Sequence, residues 1–209
     1  MMQQTFSKAD IQALSKEYRR NLINSISGFK SLCLVGTVDR EGQTNLSLIS
    51  SIIHVGANPP LMGMLMRPHV VPRHTIENIE ATHHFTFNHV REEFFEEAHQ
   101  TSARYPKEIS EFEATGLKEE YSESFPAPYV LESSVKIGLR FVERHFITAN
   151  ATQLIVGEVI ELRLPTIGIM SDGFVDLEKL GTITVSGLDS YHTTRSLKRL
   201  PYAKAGNQS

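Results

Sequence analysis

The chain has 209 residues, of which 40% are hydrophobic, 22% charged and 8% aromatic, with 13 Gly and 9 Pro. Those proportions exclude collagen-like, disordered and disulfide-scaffold classes, and the lone Cys33 excludes an internal disulfide or a thiolate zinc cage. With 21 Lys+Arg against 24 Asp+Glu the net charge is −3, which argues against a nucleic-acid-binding stripe.

The polar stretch Met1 to Asp10 lacks the apolar core of a secretion signal, and no apolar run approaches the roughly 20 residues that span a bilayer. The expectation is a cytoplasmic protein without membrane or nucleic-acid partners. Length favours one domain over residues 1–209, with a helical excursion at about 91–128.

In chain order, Ser7 is a candidate N-cap for a helix carrying Ile11, Leu14, Tyr18, Leu22 and Ile26 and ending at Gly28. The period then changes. Ser31 to Val38 is almost wholly apolar and reads as a strand buried on both faces. Asp39-Arg-Glu-Gly42 is hairpin chemistry, and a second strand runs from Thr44 to about Val55. Asn58-Pro59-Pro60 breaks it, and Leu61 to Met66 forms a third strand. A short helix follows from about Thr75 to Ala81 with Ile76 and Ile79 inward, then an alternating strand from His84 to Asn88. Arg91 to Arg104 has helical spacing through Phe94, Phe95 and Ala98, and Tyr105 to Pro128 is a poorly patterned excursion with short helical turns. Val135 to Val142 and Leu154 to Leu162 are strands, the second interrupted at Gly157 as a bulge or close approach would require. Short strands, tight turns and the lack of a GxGxxG or GxxxxGK[ST] loop indicate a mainly β fold, an antiparallel β-barrel with helical decorations.

Two constellations can carry chemistry. In Asn45-Leu-Ser-Leu-Ile-Ser-Ser-Ile-Ile53, the alternation of Leu46 and Leu48 fails at Ile49-Ser50-Ser51. A register break with two small hydroxyl residues suggests a bulge whose backbone is open to a planar heteroaromatic ligand. Serines facing solvent from an edge strand would give the same pattern. In Arg67-Pro-His-Val-Val-Pro-Arg-His-Thr75, Thr75 is placed to cap the following helix, and Arg67, Arg73 and His74 can close on an anion at its N-terminus. A capped helix with two solvated arginines is the alternative.

These pieces with their flanks, GQTNLSLISSIIHVGANPPLMGMLM, RHTIENI and HFTFNHV, resemble the flavin reductase-like family. The features shared in order are Asn45 with Ser47, Pro59-Pro60, Thr75-Ile-Glu-Asn78-Ile79, Phe85-Thr-Phe-Asn88, the Gly157-Glu158-Val159 strand and Gly187-Leu-Asp-Ser-Tyr191. The resemblance covers roughly residues 20 to 195. It implies a six-stranded antiparallel Greek-key split barrel of the FMN-binding type, acting as a homodimer. It further implies a flavoprotein oxidoreductase that passes electrons from NAD(P)H through FMN to an acceptor, with a redox partner protein or an oxygenase as recipient. By position, Asn45, Ser47, Ser50 and Ser51 would line the isoalloxazine and ribityl chain, and Arg73, His74 and Thr75 would meet the phosphate, with Arg67 beside them. Many members that use NAD(P)H carry Asp-His before the Gly-Glu-Val strand, where this chain has Ala151-Thr152. That departure favours the flavin site over a nicotinamide site and brings in the alternative of a non-enzymatic, flavoredoxin-like FMN electron carrier.

The nine histidines raise a metal or haem as a third option, but His83 and His84 on one strand would point to opposite faces. Cys33 inside an apolar strand reads as a packed thiol, and no metal ligand set or catalytic triad is assigned.

Overall fold

The computed structural model describes residues 2–68 and 74–205. Ser7 caps α1 (Lys8–Ala13) in a reciprocal box: its hydroxyl accepts the Asp10 N–H, and the Asp10 carboxylate accepts the Ser7 N–H. Leu14 turns extended, and Ser15 caps a second helix, α2 (Lys16–Ser25). The single helix expected over this stretch is therefore two, because Ser15 offers the backbone a competing N-cap.

The β elements begin with β1 (Lys30–Ser31) and β2 (Cys33–Val38), and Asp39 closes the turn by accepting the Glu41 and Gln43 N–H groups. Gly42 takes φ 92° there, a value a side chain would resist. Next come β3 (Thr44–Ile49), β4 (Ile52–Ala57) and β5 (Pro60–Met66), then α3 (His74–Thr82) and β6 (His84–His89). The excursion holds a 3-10 turn (Glu92–Phe94), α4 (Phe95–Gln100), α5 (Glu111–Thr115) and a hairpin of β7 (Glu119–Ser122) with β8 (Phe125–Val130). The helix read over Arg91–Arg104 is thus shorter than its spacing suggests. The hairpin was not legible because Pro126 and Pro128 sit inside its second strand. The long strands β9 (Lys136–Ile147) and β10 (Thr152–Arg163) follow, and β11 (Thr184–Ser186) with β12 (Ser190–His192) complete the set.

The main sheet has seven antiparallel strands in the order β3-β2-β6-β9-β10-β5-β4. Its two edge strands, β3 and β4, are consecutive in sequence and joined by Ser50-Ser51. A sheet whose opposite edges are continuous along the chain has curled until they meet, which makes it a barrel. Because β3 and β4 do not pair with each other, the barrel is split. The run read as one strand from Thr44 to Val55 therefore bends at a corner rather than a bulge, and the strand count rises from six to seven. The Leu65 N–H holds that corner by donating to the Ser51 carbonyl at 2.9 Å.

Phe85, Phe87, Met64, Leu139 and Ile155 fill the barrel, and α3 packs against it through Ile76 and Ile79, each 1% exposed. Burial on that scale is worth about 1.5–3 kcal/mol per isoleucine and fixes which face of α3 meets β2 and β3. On the other face of β2 and β3, Leu34 and Leu46 pack with Phe94, Phe112 and Val185. Register shifts bracket Gly157 on β10 as its position in the pattern suggests, and a Cβ there would lie 2.6 Å from Phe85 Cζ. Cys33 is 1% exposed, and burial pushes its thiol pKa up, consistent with a packed, unreactive sulfur. Among the described residues, no helix is long and apolar enough to cross a membrane.

Candidate functional site

Thr37 and Asn45 face each other across the β2–β3 ladder, and Val35 faces Ser47. Alternation puts Thr37, Asn45 and Ser47 on the face that α3 covers. There the Asn45 amide donates to Thr75 Oγ1 at 3.0 Å, and Ser47 Oγ lies 2.9 Å from the same oxygen. One turn along α3, the Asn78 amide donates to Thr37 Oγ1 at 3.2 Å. Asn45, Thr75 and Asn78 are buried, while Ser47 and His74 lie half-buried at the accessible rim.

This polar seam joins two segments the sequence singled out separately, Asn45/Ser47 and His74/Thr75. It also corrects the role given to Thr75. That residue lies inside α3, and the bonds of its hydroxyl run to β3 rather than to the helix's own N–H groups. Thr37 and Asn78 complete the seam and were not assigned from sequence, although the three-residue step from Thr75 to Asn78 places both on one helical face.

At the Cys33 end of β2 lies a cavity of about 320 Å³. Phe29, Leu32, Cys33 and Ile183 give it apolar walls, and Lys30, Ser31, His89, Thr182 and Thr184 bring polar atoms. Thr37 is four residue steps along β2 from Cys33, so the cavity and the polar seam lie about 13 Å apart along one strand. The Ser50-Ser51 corner lies on the cavity side, since Ser31 Oγ donates to the Ile52 carbonyl at 3.1 Å and Cys33 pairs with Ile49.

Lys30 donates to the Gly187 carbonyl at 2.5 Å. Burial, and then the positive charge of Arg67, holds its ammonium below the usual lysine pKa. The exposed Arg67 side chain, just past β5, is therefore within electrostatic reach of Lys30. His89 Nδ1 meets Thr182 Oγ1 at 3.2 Å, and burial lowers its pKa to about 4, so the ring is neutral at pH 7. Among the described residues, Thr184 Oγ1 is buried without a hydrogen-bond partner.

Of the residues expected to bind a ligand, Asn45, Ser47, His74 and Thr75 cluster at the seam, Ser50 and Ser51 form the barrel corner, and Arg67 lies within electrostatic reach of Lys30. Arg73 lies outside the described residues. Lys30, His89 and Thr184 carried no motif in the sequence. Pairing of β1 with β11 sets Lys30 opposite Val185, next to Thr184, and β6 brings in His89.

Seven-tenths of the chain, residues 27–170, matches the family model described as "Flavin reductase like domain". A split-barrel protein of Shewanella frigidimarina, for which flavin reductase activity is inferred, is 51% identical, with a TM-score of 0.93 over 96% of this chain and 100% of that one. Nitrilotriacetate monooxygenase component B from Bacillus cereus shares the fold at 19% identity and a TM-score of 0.80, over 96% and 100% of the two chains. Flavoredoxin of Desulfovibrio vulgaris shares it at 22% identity and a TM-score of 0.70, over 86% and 92%. An uncharacterised protein of Aquifex aeolicus is 27% identical over 132 residues, so the match spans 62% of this chain and 66% of that relative. The polar seam, the split barrel and the family match over most of its length lead to one assignment: this chain belongs to the flavin reductase-like family.

Proposed function

We propose that the chain binds FMN and passes electrons from NAD(P)H through it to an acceptor. The observation that carries this reading is the alignment of a seam of hydroxyls and amides and an apolar-walled cavity along a single strand, with the barrel corner at the cavity end. A flavin nucleotide has the matching sequence of parts: a planar ring, a polyol and a phosphate.

The residues present fit that group. Neutral His89 and the apolar walls suit an uncharged ring, and the orphaned Thr184 hydroxyl is a buried polar atom that a ring heteroatom can satisfy. Ser47 suits the ribityl hydroxyls. His74 at the start of α3, together with Arg73, suits the phosphate, and Arg67 with Lys30 adds positive charge at the cavity end. When bound, the flavin supplies hydride acceptance and electron transfer. The chain's own residues orient it, shield one face with apolar side chains and hold its anionic tail.

Ile53 and Val55 on edge strand β4, and Leu65 on its neighbour β5, expose apolar surface, which supports a homodimer built on that face. The recipient of the electrons is a redox partner protein or an oxygenase.

A second reading, a flavoredoxin-like carrier reduced by another protein, is favoured by one observation. The Asp-His of many NAD(P)H-using relatives is replaced by Ala151-Thr152, and Ala151 occupies the left-handed turn between β9 and β10 with φ 58°. Anaerobic mixing of the FMN-loaded protein with NADH or NADPH separates the two. Rapid loss of oxidised-flavin absorbance with either nucleotide supports the reductase, and an unchanged spectrum with both supports the carrier.

A further inference from the structure

We propose that Glu111, on the excursion outside the barrel, is a positioning residue for the nucleotide site, clamping β3 so that Asn45 and Ser47 meet Thr75. The inference rests on the flavin-binding reading above. As an edge strand of the main sheet, β3 presents backbone N–H groups with no strand to receive them. The Leu46 N–H is one of these, and Glu111 Oε2 accepts it at 2.8 Å. Leu46 stands between the two residues whose side chains reach Thr75, so the clamp acts on the peptide unit that aims both.

The attachment is built rather than incidental. Glu111 is 7% exposed at the start of α5, whose Phe112 packs with Leu46 on the face of β3 away from α3. Two residues before Leu46, Thr44 Oγ1 lies 2.7 Å from Ser110 Oγ and donates to Glu119 Oε1 at 2.6 Å. The excursion thus grips alternate residues of β3. The sheet face so backed is opposite the one that carries the polar seam.

A buried carboxylate is costly unless compensated. Burial raises the Glu111 pKa, while the Leu46 N–H and the positive form of His74 work the other way. His74 belongs to α3, so Glu111 is coupled to both sides of the seam, to β3 by a hydrogen bond and to α3 by charge. Removing it leaves a buried N–H unpaired and lets β3 shift relative to Thr75.

The test is titration of the full-length protein with FMN and with riboflavin, which lacks the phosphate, following flavin fluorescence. Glu111→Ala is expected to raise the Kd about tenfold for FMN, the scale of one lost buried hydrogen bond, and by a similar factor for riboflavin, whose ribityl chain meets Ser47 as well. Glu111→Gln keeps an acceptor for the Leu46 N–H and is expected to stay within about threefold of the wild type for both. If Glu111→Ala does not fold, Glu111→Asp carries the same comparison, its carboxylate being one methylene too short to reach. No loss in Glu111→Ala, a loss confined to FMN, or an equal loss in Glu111→Gln would overturn the clamp and leave Glu111 a scaffold residue. Failure of the wild-type chain to bind either flavin would instead overturn the reading of the site on which the clamp rests.

Discussion

Asn45 and Thr75 are 30 residues apart in the chain, yet the Asn45 amide donates to Thr75 Oγ1 at 3.0 Å. That bond ties an edge strand of the barrel to the first turn of α3. It turns two unconnected sequence signals into one seam, and any ligand that follows β3 toward the helix passes beside it.

Replacing Thr75 with Val keeps the shape and removes the hydroxyl. Asn45 then loses its better acceptor, since Thr37 Oγ1 is 3.4 Å away. The unliganded protein is expected to lose about 1–3 kcal/mol of stability, read as a lower urea midpoint. An unchanged midpoint would show that the bond contributes nothing to holding α3 on β3.

Gly157→Ala tests the barrel interior. The added methyl would lie 2.6 Å from Phe85 Cζ and 3.1 Å from Leu139 Cβ, and both side chains are fully buried. Overpacking of this kind costs about 1–3 kcal/mol, so thermal unfolding should move to lower temperature. A neutral substitution would mean that the β10 bulge can absorb the methyl.

His89 sets a pH dependence. Burial lowers its folded pKa to about 4, below the ordinary histidine value of 6.5, so it favours folding while neutral. That stability is complete above pH 6.5 and declines as the pH falls toward 4, because the unfolded chain takes up a proton the folded one resists. The decline totals on the order of 3 kcal/mol. Between pH 6.5 and 5 the carboxylates held low by their partners, Asp39 and Glu161, stay ionised in the folded chain. Urea unfolding across that window should show the loss in the wild type and a flatter profile in His89→Gln. Identical slopes would remove His89 as the cause.

Arg67 and Arg73 are the proposed charge partners of the nucleotide. Arg73→Ala is expected to weaken FMN binding by about 1.5–3 kcal/mol, the scale of a charge-assisted hydrogen bond. Arg67→Ala should have a smaller effect that fades with added salt. An FMN dissociation constant unaffected by Arg73→Ala would take that residue out of the site.

For the exposed apolar face of β4 and β5, Ile53→Glu should convert a dimer to a monomer in sedimentation velocity runs. A wild-type chain already monomeric at micromolar concentration would contradict the assembly.

Most barrel strands, the inward face of α3 and the Asn45 and Ser47 positions of the seam were legible because each has a local signature. Ile76 and Ile79 share a helical face, Phe85 and Phe87 alternate, and Asn45 and Ser47 stand two apart on one side of β3. The barrel closure was not legible in the same way. The failed alternation at Ser50-Ser51 reports an irregularity, but only the pairing of β4 with β5 makes it a corner. The cavity is further still from local pattern: Lys30, His89 and Thr184 come from three distant segments joined by long-range pairing. Glu111 lay in a poorly patterned excursion, where a lone carboxylate carries no periodic signal of its attachment to Leu46.

The most direct measurement is FMN titration of the purified, desalted protein, with the visible spectrum and the unfolding temperature recorded together. The expected result is saturable binding with a perturbed flavin spectrum and an unfolding temperature that rises with FMN concentration. A protein that stays colourless and unfolds at the same temperature in excess FMN would contradict the assignment of the seam and cavity to a flavin nucleotide.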